Sequence, residues 1–209
     1  MTLISGAWAQ DLAQDSAQEQ SSTGIAALES FVDQVDSLTA DFQQELWSAD
    51  RQLLETAFGT LSLQRPNRFL WSYRTPIEQL VVADGEHLWM YDVELEQATV
   101  TPLTDDAATA SPAMLLSGDR AVRDSFDIRD DFVLDDRDWV RLTPKSSNTD
   151  FRSVLIGFSG GLPVQLELVD GLDRTTSIQF SEIEVNERLD DSIFEFQPPA
   201  GVDVIGDED

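Results

Sequence analysis

The stretch Arg65-Pro66-Asn67-Arg68-Phe69-Leu70-Trp71-Ser72-Tyr73-Arg74 sets three arginines around three aromatic rings. In an extended strand residues two apart share a face, so Phe69, Trp71 and Tyr73 line one side while Leu70 and Ser72 line the other. A stripe of three large rings has to be covered by something apolar, either the protein's own core or a ligand. Core packing is the ordinary outcome, and alternation alone does not separate the two.

Period-two patterning extends on both sides of this stretch. Upstream, Phe42, Gln44 and Leu46 alternate with Asp41, Gln43 and Glu45, and Phe58 to Leu63 follow as a second strand. Downstream, Leu80-Val81-Val82-Ala83 and His87-Leu88-Trp89-Met90-Tyr91 flank Asp84-Gly85-Glu86, a hairpin signal whose two strands are apolar on both faces. Further strands are expected near 95–101, 122–129, 139–143, 151–158, 163–169, 174–186 and 194–197, giving an antiparallel meander of about ten to eleven strands. Before them, GIAALESFVDQVDSL (24–38) repeats Ile25, Leu28, Val32 and Val35 at three- and four-residue spacing, which reads as an amphipathic helix. Ser111-Pro112-Ala113-Met114-Leu115-Leu116-Ser117-Gly118 carries a cap, a proline at the first helical position and a terminal glycine, the signature of a short second helix. Residues 1–23 read as a polar tail ahead of one domain over 24–206. Ala7-Trp8-Ala9 has the form of an export-cleavage site, but Met1 to Gly6 holds no basic residue and no apolar run, so only the end of a leader would be present.

Composition narrows the function. Forty acids against 13 bases give a net charge of -27, which repels phosphate backbones and anionic lipid surfaces and argues against a nucleic-acid partner. Absence of cysteine excludes disulfides, thiolate metal sites and a catalytic thiol. Gly157-Phe158-Ser159-Gly160-Gly161 fits the G-x-S-x-G esterase pattern, yet Leu162-Pro163 leads into another strand rather than the helix that a nucleophile elbow requires. A hairpin turn is the better reading, and His87, the only histidine, is a poor candidate base beside Leu88 and Trp89. The acidic clusters at 130–131, 135–138 and 207–209 lack calcium-loop spacing and read as solvated loops. No catalytic residue, metal or cofactor is expected.

Seven blocks then fix a resemblance: FQQ (42–44), RPNRFLW (65–71), VVADGEHLWMYD (81–92), LEQATVTPL (95–103), SPAMLL (111–116), LTPKSSN (142–148) and FEFQPPAGV (194–202). In this order they resemble the periplasmic outer-membrane lipoprotein carrier family, LolA, over about residues 25–206. The resemblance implies an open, incomplete antiparallel β-barrel with the N-terminal amphipathic helix and the short helix as a lid. It implies a monomeric, non-enzymatic periplasmic chaperone that takes triacylated lipoproteins from an inner-membrane ABC transporter to an outer-membrane receptor lipoprotein. Phe69, Trp71, Leu80, Val82, Leu88 and Met90 become candidates for the cavity wall, the inward side of the 80–91 hairpin being open. Arg65 matches the family arginine that holds the lid closed through charge-assisted hydrogen bonds, and Leu28, Val32, Val35, Met114 and Leu115 would seal the empty cavity. A lipid-sensing periplasmic regulator of similar fold and, more remotely, a serine esterase are the alternatives.

The charge also predicts a salt response. Self-repulsion destabilises a compact anionic chain at low ionic strength, and molar salt shortens the Debye length to about 3 Å. Thermal melting across a salt series is expected to show the midpoint rising steadily toward molar salt; a flat midpoint would show that the acids are spaced widely enough not to matter.

Overall fold

A computed structural model describes residues 23–103, 112–117, 124–146 and 149–206. Helix α1 (Thr23–Gln34) leads into β1 (Ser37–Trp47), β2 (Leu53–Gln64), β3 (Arg68–Thr75), β4 (Gln79–Asp84), β5 (His87–Asp92) and β6 (Gln97–Pro102). Helix α2 (Pro112–Ser117) follows, then β7 (Phe126–Leu134), β8 (Arg137–Pro144), β9 (Phe151–Ser159), β10 (Leu162–Asp170), β11 (Thr175–Val185) and β12 (Asp203–Gly206). All twelve strands form one sheet in the order β12-β6-β5-β4-β3-β2-β1-β11-β10-β9-β8-β7. Since β12 and β7 stand at opposite edges, the sheet does not close. β1 joins two meanders by pairing with β2 on one side and β11 on the other.

Turn chemistry fixes the register. Asp84 Oδ1 accepts the backbone N–H of Glu86 at 2.8 Å and of His87 at 2.6 Å, closing the β4–β5 hairpin. Gly160 and Gly161 have φ of 58° and 81° between β9 and β10, the left-handed pair that a two-residue hairpin needs. Ser159 therefore sits opposite Leu162 in an antiparallel ladder, and the strand–turn–helix geometry of a nucleophile elbow is not formed there.

The two faces of the sheet are covered differently. One face carries the large core: Leu38 and Phe42 of β1, Leu61 and Leu63 of β2, Phe69 and Trp71 of β3, and counterparts through β8–β11, all packed with Leu28 and Phe31 of α1, Val35 just after it, and Ala113 to Leu116 of α2. α1 lies over β7, β8, β9 and β10, whereas α2 lies over β2 and β3. On the opposite face a smaller cluster of Val82, Trp89, Tyr91, Ala98 and Val100 is covered by the chain after β11, with Phe196 and Val202 packed against it. That returning segment makes a 3-10 turn at Asp191–Phe194, buries Phe194 under Arg68, and ends as β12 beside β6.

Three expectations are corrected. The first helix stops at Gln34, and Ser37 and Leu38 already belong to β1. The segment near 194–197 is not a strand; Phe194 closes the 3-10 turn instead, and the C-terminal strand is β12, which pairs with β6 in parallel. The strand expected at 122–129 runs over 126–134, so Asp130 and Asp131 lie in β7 rather than in a loop, while Asp135 and Asp136 form the turn with φ of 54° and 58°. Residues 1–22 of the tail, with the Ala7-Trp8-Ala9 site, lie outside the described residues, and Thr23 already opens α1.

Candidate functional site

The inner face is an aromatic surface at its centre. Phe42 lies 4.7 Å from Trp71 and 5.2 Å from Tyr73 between ring centroids, and Trp71 lies 6.1 Å from Phe180. Gly59 makes this packing possible, because a Cβ there would fall 2.6 Å from the Phe42 ring and 2.0 Å from the Ser72 carbonyl oxygen. The stripe read from alternation is thus a single face: Phe69 and Trp71 are buried, and Tyr73 packs against the same cluster half-buried.

The candidate wall residues divide between the two faces. Phe69, Trp71 and Leu88 stand in the inner core. Leu80 and Val82 do not: they belong to the outer cluster under Phe196 and Val202, while Val81 and Ala83 are their inward neighbours. Met90 shares the face of Leu88 by alternation but is 45% exposed, beyond the covered part. Of the candidate lid residues, Leu28, Val35, Met114 and Leu115 are buried in the inner core and Val32 is packed against it in part. Phe31 was not among the candidates, yet it is the most buried residue of α1, with its ring 6.2 Å from Phe158.

α1 is secured at both ends. Asp130 of β7 accepts the Ile25 N–H through Oδ1 at 2.8 Å, placing a carboxylate where the helix dipole is positive. Gly24 lies so near β8 that a Cβ would approach the Trp139 carbonyl oxygen to 2.6 Å. At the other end Arg65 Nε donates to the Val35 carbonyl at 2.7 Å, its backbone N–H donates to the Asp36 carbonyl at 2.8 Å, and its guanidinium lies 4.9 Å from the Phe31 ring centroid. A cation there complements the negative end of the dipole and stacks on the ring beneath it. Asn186 completes the junction: its Oδ1 accepts from Asp36 N–H at 2.8 Å, and its Nδ2 donates to the Gln34 carbonyl at 3.0 Å.

The same turn also holds the second helix. Asn67 N–H donates to the carbonyl of Ser117, the last residue of α2, at 3.2 Å. Arg65 and Asn67, two residues apart, thereby bind the carboxyl ends of both helices that cover the inner face. Beside this junction is a hollow of about 690 Å3 lined by Asp36, Arg65, Asn186, Arg188 and Asp190, too polar to receive hydrocarbon. A second hollow of about 270 Å3 opens between α1 and β7, where Ile25, Leu28, Phe126 and Ile128 make a largely apolar crevice flanked by Glu29 and Asp127. Among the described residues no group of three or more His, Cys, Asp or Glu side chains is arranged to hold a metal, and no helix is long and apolar enough to cross a membrane.

Comparison with known proteins identifies the family and the fold. The family model described as outer membrane lipoprotein carrier protein LolA matches residues 33–197. The chain is 40% identical over 186 residues to the outer-membrane lipoprotein carrier protein of Nitrosospira multiformis, covering 88% of this chain and 89% of that one. It is 38% identical over 192 residues to the protein of that name from Methylococcus capsulatus, covering 92% of each. In fold it is similar to a LolA superfamily protein from Nitrosomonas europaea, with a TM-score of 0.50 at 14% identity over 83% of this chain and 98% of that one.

The two ends of α1 generate a prediction. Replacing Asp130 by Ala removes a charged cap of about 1 kcal/mol. Hydrogen exchange should then show the α1 amides about fivefold less protected, with β1 and β11 unchanged. Equal loss across helix and sheet would mean that α1 does not open on its own.

Proposed function

Because the chain belongs to the outer-membrane lipoprotein carrier family, we propose that it is a periplasmic chaperone that shields the acyl chains of triacylated lipoproteins. It receives them from an inner-membrane ABC transporter and delivers them to an outer-membrane receptor lipoprotein. The observation that carries this reading is the inner face itself: an apolar surface on an unclosed sheet, covered by two helices whose carboxyl ends are bound through one turn.

Magnitudes support an exchange of lid for cargo. Uncovering Leu28, Phe31, Val35, Met114 and Leu115 costs roughly 10 kcal/mol at about 2 per side chain. A chain of about 15 methylenes left in water is unfavourable by about 12 kcal/mol, and two or three chains by more. Acyl chains therefore suffice to displace the helices, and an empty carrier stays shut. Reclosing the lid recovers most of the cost of opening it, so handover to a receptor that itself covers the acyl chains needs no separate energy source. The apolar crevice between α1 and β7 offers hydrocarbon a place to enter at the lid margin.

Arg65 has the central part in this cycle. Its Nε bond to the Val35 carbonyl at the helix end and its stacking on Phe31 of α1 are made with the helix in place, so they favour the closed state and promote release at handover. Phe69, Trp71 and Leu88 form the wall on this reading, with Leu28, Val32, Val35, Met114 and Leu115 as the lid. Leu80 and Val82, packed on the outer face, take no part in this reading. The regulator alternative is not favoured, because the relatives at 38% and 40% identity carry the carrier name.

Purification from a bacterial envelope followed by mass spectrometry tests the reading. Triacylated lipoprotein should co-purify, and Arg65→Leu should retain it while passing little to the receptor in a two-protein transfer assay. A protein that emerges free of acylated cargo in both forms would contradict the carrier function.

A further inference from the structure

The inner face is not uniformly apolar. Next to the Phe42–Trp71 stack, Tyr73 Oη donates to Gln44 Oε1 at 3.0 Å. Gln44 stands on the face of Phe42 by alternation, in register with Ala57 and Ile178, two members of the buried core. The other end of its amide, Nε2, donates to no described residue. Trp71 Nε1 is buried, in a residue only 2% exposed, and its contact with the Tyr73 hydroxyl falls short of a formed hydrogen bond. One step further along the face, Glu55 and Thr176 both lie in register with Leu46, and Glu55 is exposed. Over two residue pairs the surface passes from aromatic rings, through a band of polar groups, to a charged rim.

That band is rich in donors. An indole N–H only donates, the amide NH2 only donates, and the acceptors nearby are few: Gln44 Oε1 is taken by Tyr73, and the Tyr73 hydroxyl oxygen meets the Trp71 indole without a well-formed bond. Buried donors without a formed hydrogen bond, as at Trp71, are costly and call for an explanation. The groups that would satisfy them are acceptors carried at the boundary between hydrocarbon and headgroup, and acyl esters and amides are such groups: their carbonyls accept and never donate. We propose that Gln44, Tyr73 and Trp71 form a carbonyl-binding subsite that receives the ester or amide linkages of the bound acyl chains, setting the depth at which hydrocarbon ends and headgroup begins.

This inference rests on the carrier reading and makes it more specific. A free fatty acid also brings acceptors, but its negative charge would lie near Glu55 in a strongly anionic protein. The surroundings of Tyr73 already disfavour added negative charge: burial pushes its hydroxyl up to about 12, the bond to Gln44 opposes that, the Glu55 charge reinforces it, and the Trp71 indole beside it opposes the rise least. Neutral ester and amide carbonyls fit where a carboxylate does not.

The test uses the full chain and two probes of equal chain length, a diacylglyceryl lipopeptide and its dialkyl ether analogue, which lacks the ester carbonyls. The native chain should bind the ester probe about tenfold more tightly, the yield of one or two buried hydrogen bonds. In Gln44→Leu and Tyr73→Phe the ratio of the two affinities should fall toward one, with circular dichroism and melting confirming that each variant is folded. A native ratio near one, or a tenfold ratio that survives both substitutions, would overturn the subsite while leaving the carrier reading intact. Failure of the native chain to bind either probe would overturn both.

Discussion

Apolar surface on the inside of an unclosed sheet must be covered, and no second sheet is present among the described residues to cover it. In this protein the cover is two helices, and their hold on the sheet runs through hydrogen bonds to backbone carbonyls at their carboxyl ends. Arg65 Nε on Val35, Arg65 N–H on Asp36 and Asn67 N–H on Ser117 all come from the turn between β2 and β3. Helix ends carry carbonyls with no partner inside the helix, so they are the places where a few external donors have the greatest effect. Concentrating both ends at one turn couples the helices. A change that withdraws this turn loosens the whole cover at once.

The opposite end of α1 is held by different chemistry. Asp130 supplies a carboxylate to the amino end from β7, an edge strand of the sheet, while the carboxyl end lies at the β2–β3 turn. α1 thus spans the inner face as a bar bound at each end by a charge of the sign its dipole favours. Phe31 anchors the middle against Phe158. Such bonds are individually modest, whereas the apolar area beneath is large. The cover is therefore held mainly by apolar area and only secondarily by the bonds at its ends.

Sequence periodicity revealed the parts of the fold in which each strand has one apolar face. Phe69, Trp71 and Tyr73 alternate with Leu70 and Ser72, and their common face followed directly; the Asp84-Gly85 and Gly160-Gly161 turns were equally legible because left-handed backbone requires particular residues. The inward side of β4 and β5 was not legible from alternation. Leu80 and Val82 are as apolar as Val81, and the choice is made by Phe196 and Val202, more than a hundred residues later in the chain. The end of α1 was obscured for a related reason: Val35 and Leu38 continue its spacing, but bonds from Arg65 and Asn186 to residues 34–36 take over there. Asp130 was hidden among forty acids, and nothing local distinguishes the one that meets a helix end. β12 is short and exposed throughout, so it leaves no burial pattern to read.

The central claim is that α1 leaves the inner face when hydrocarbon enters, and the absence of native cysteine makes it directly measurable. Nitroxide labels at Ala26→Cys on α1 and Gln179→Cys on β11, both exposed positions, report the distance between helix and sheet. Saturation with a diacylglyceryl lipopeptide should move the distance distribution to longer values, and removal of the lipopeptide should restore it. A distribution unchanged while the lipopeptide is demonstrably bound would contradict the account, because the acyl chains would then be held somewhere other than beneath the helix.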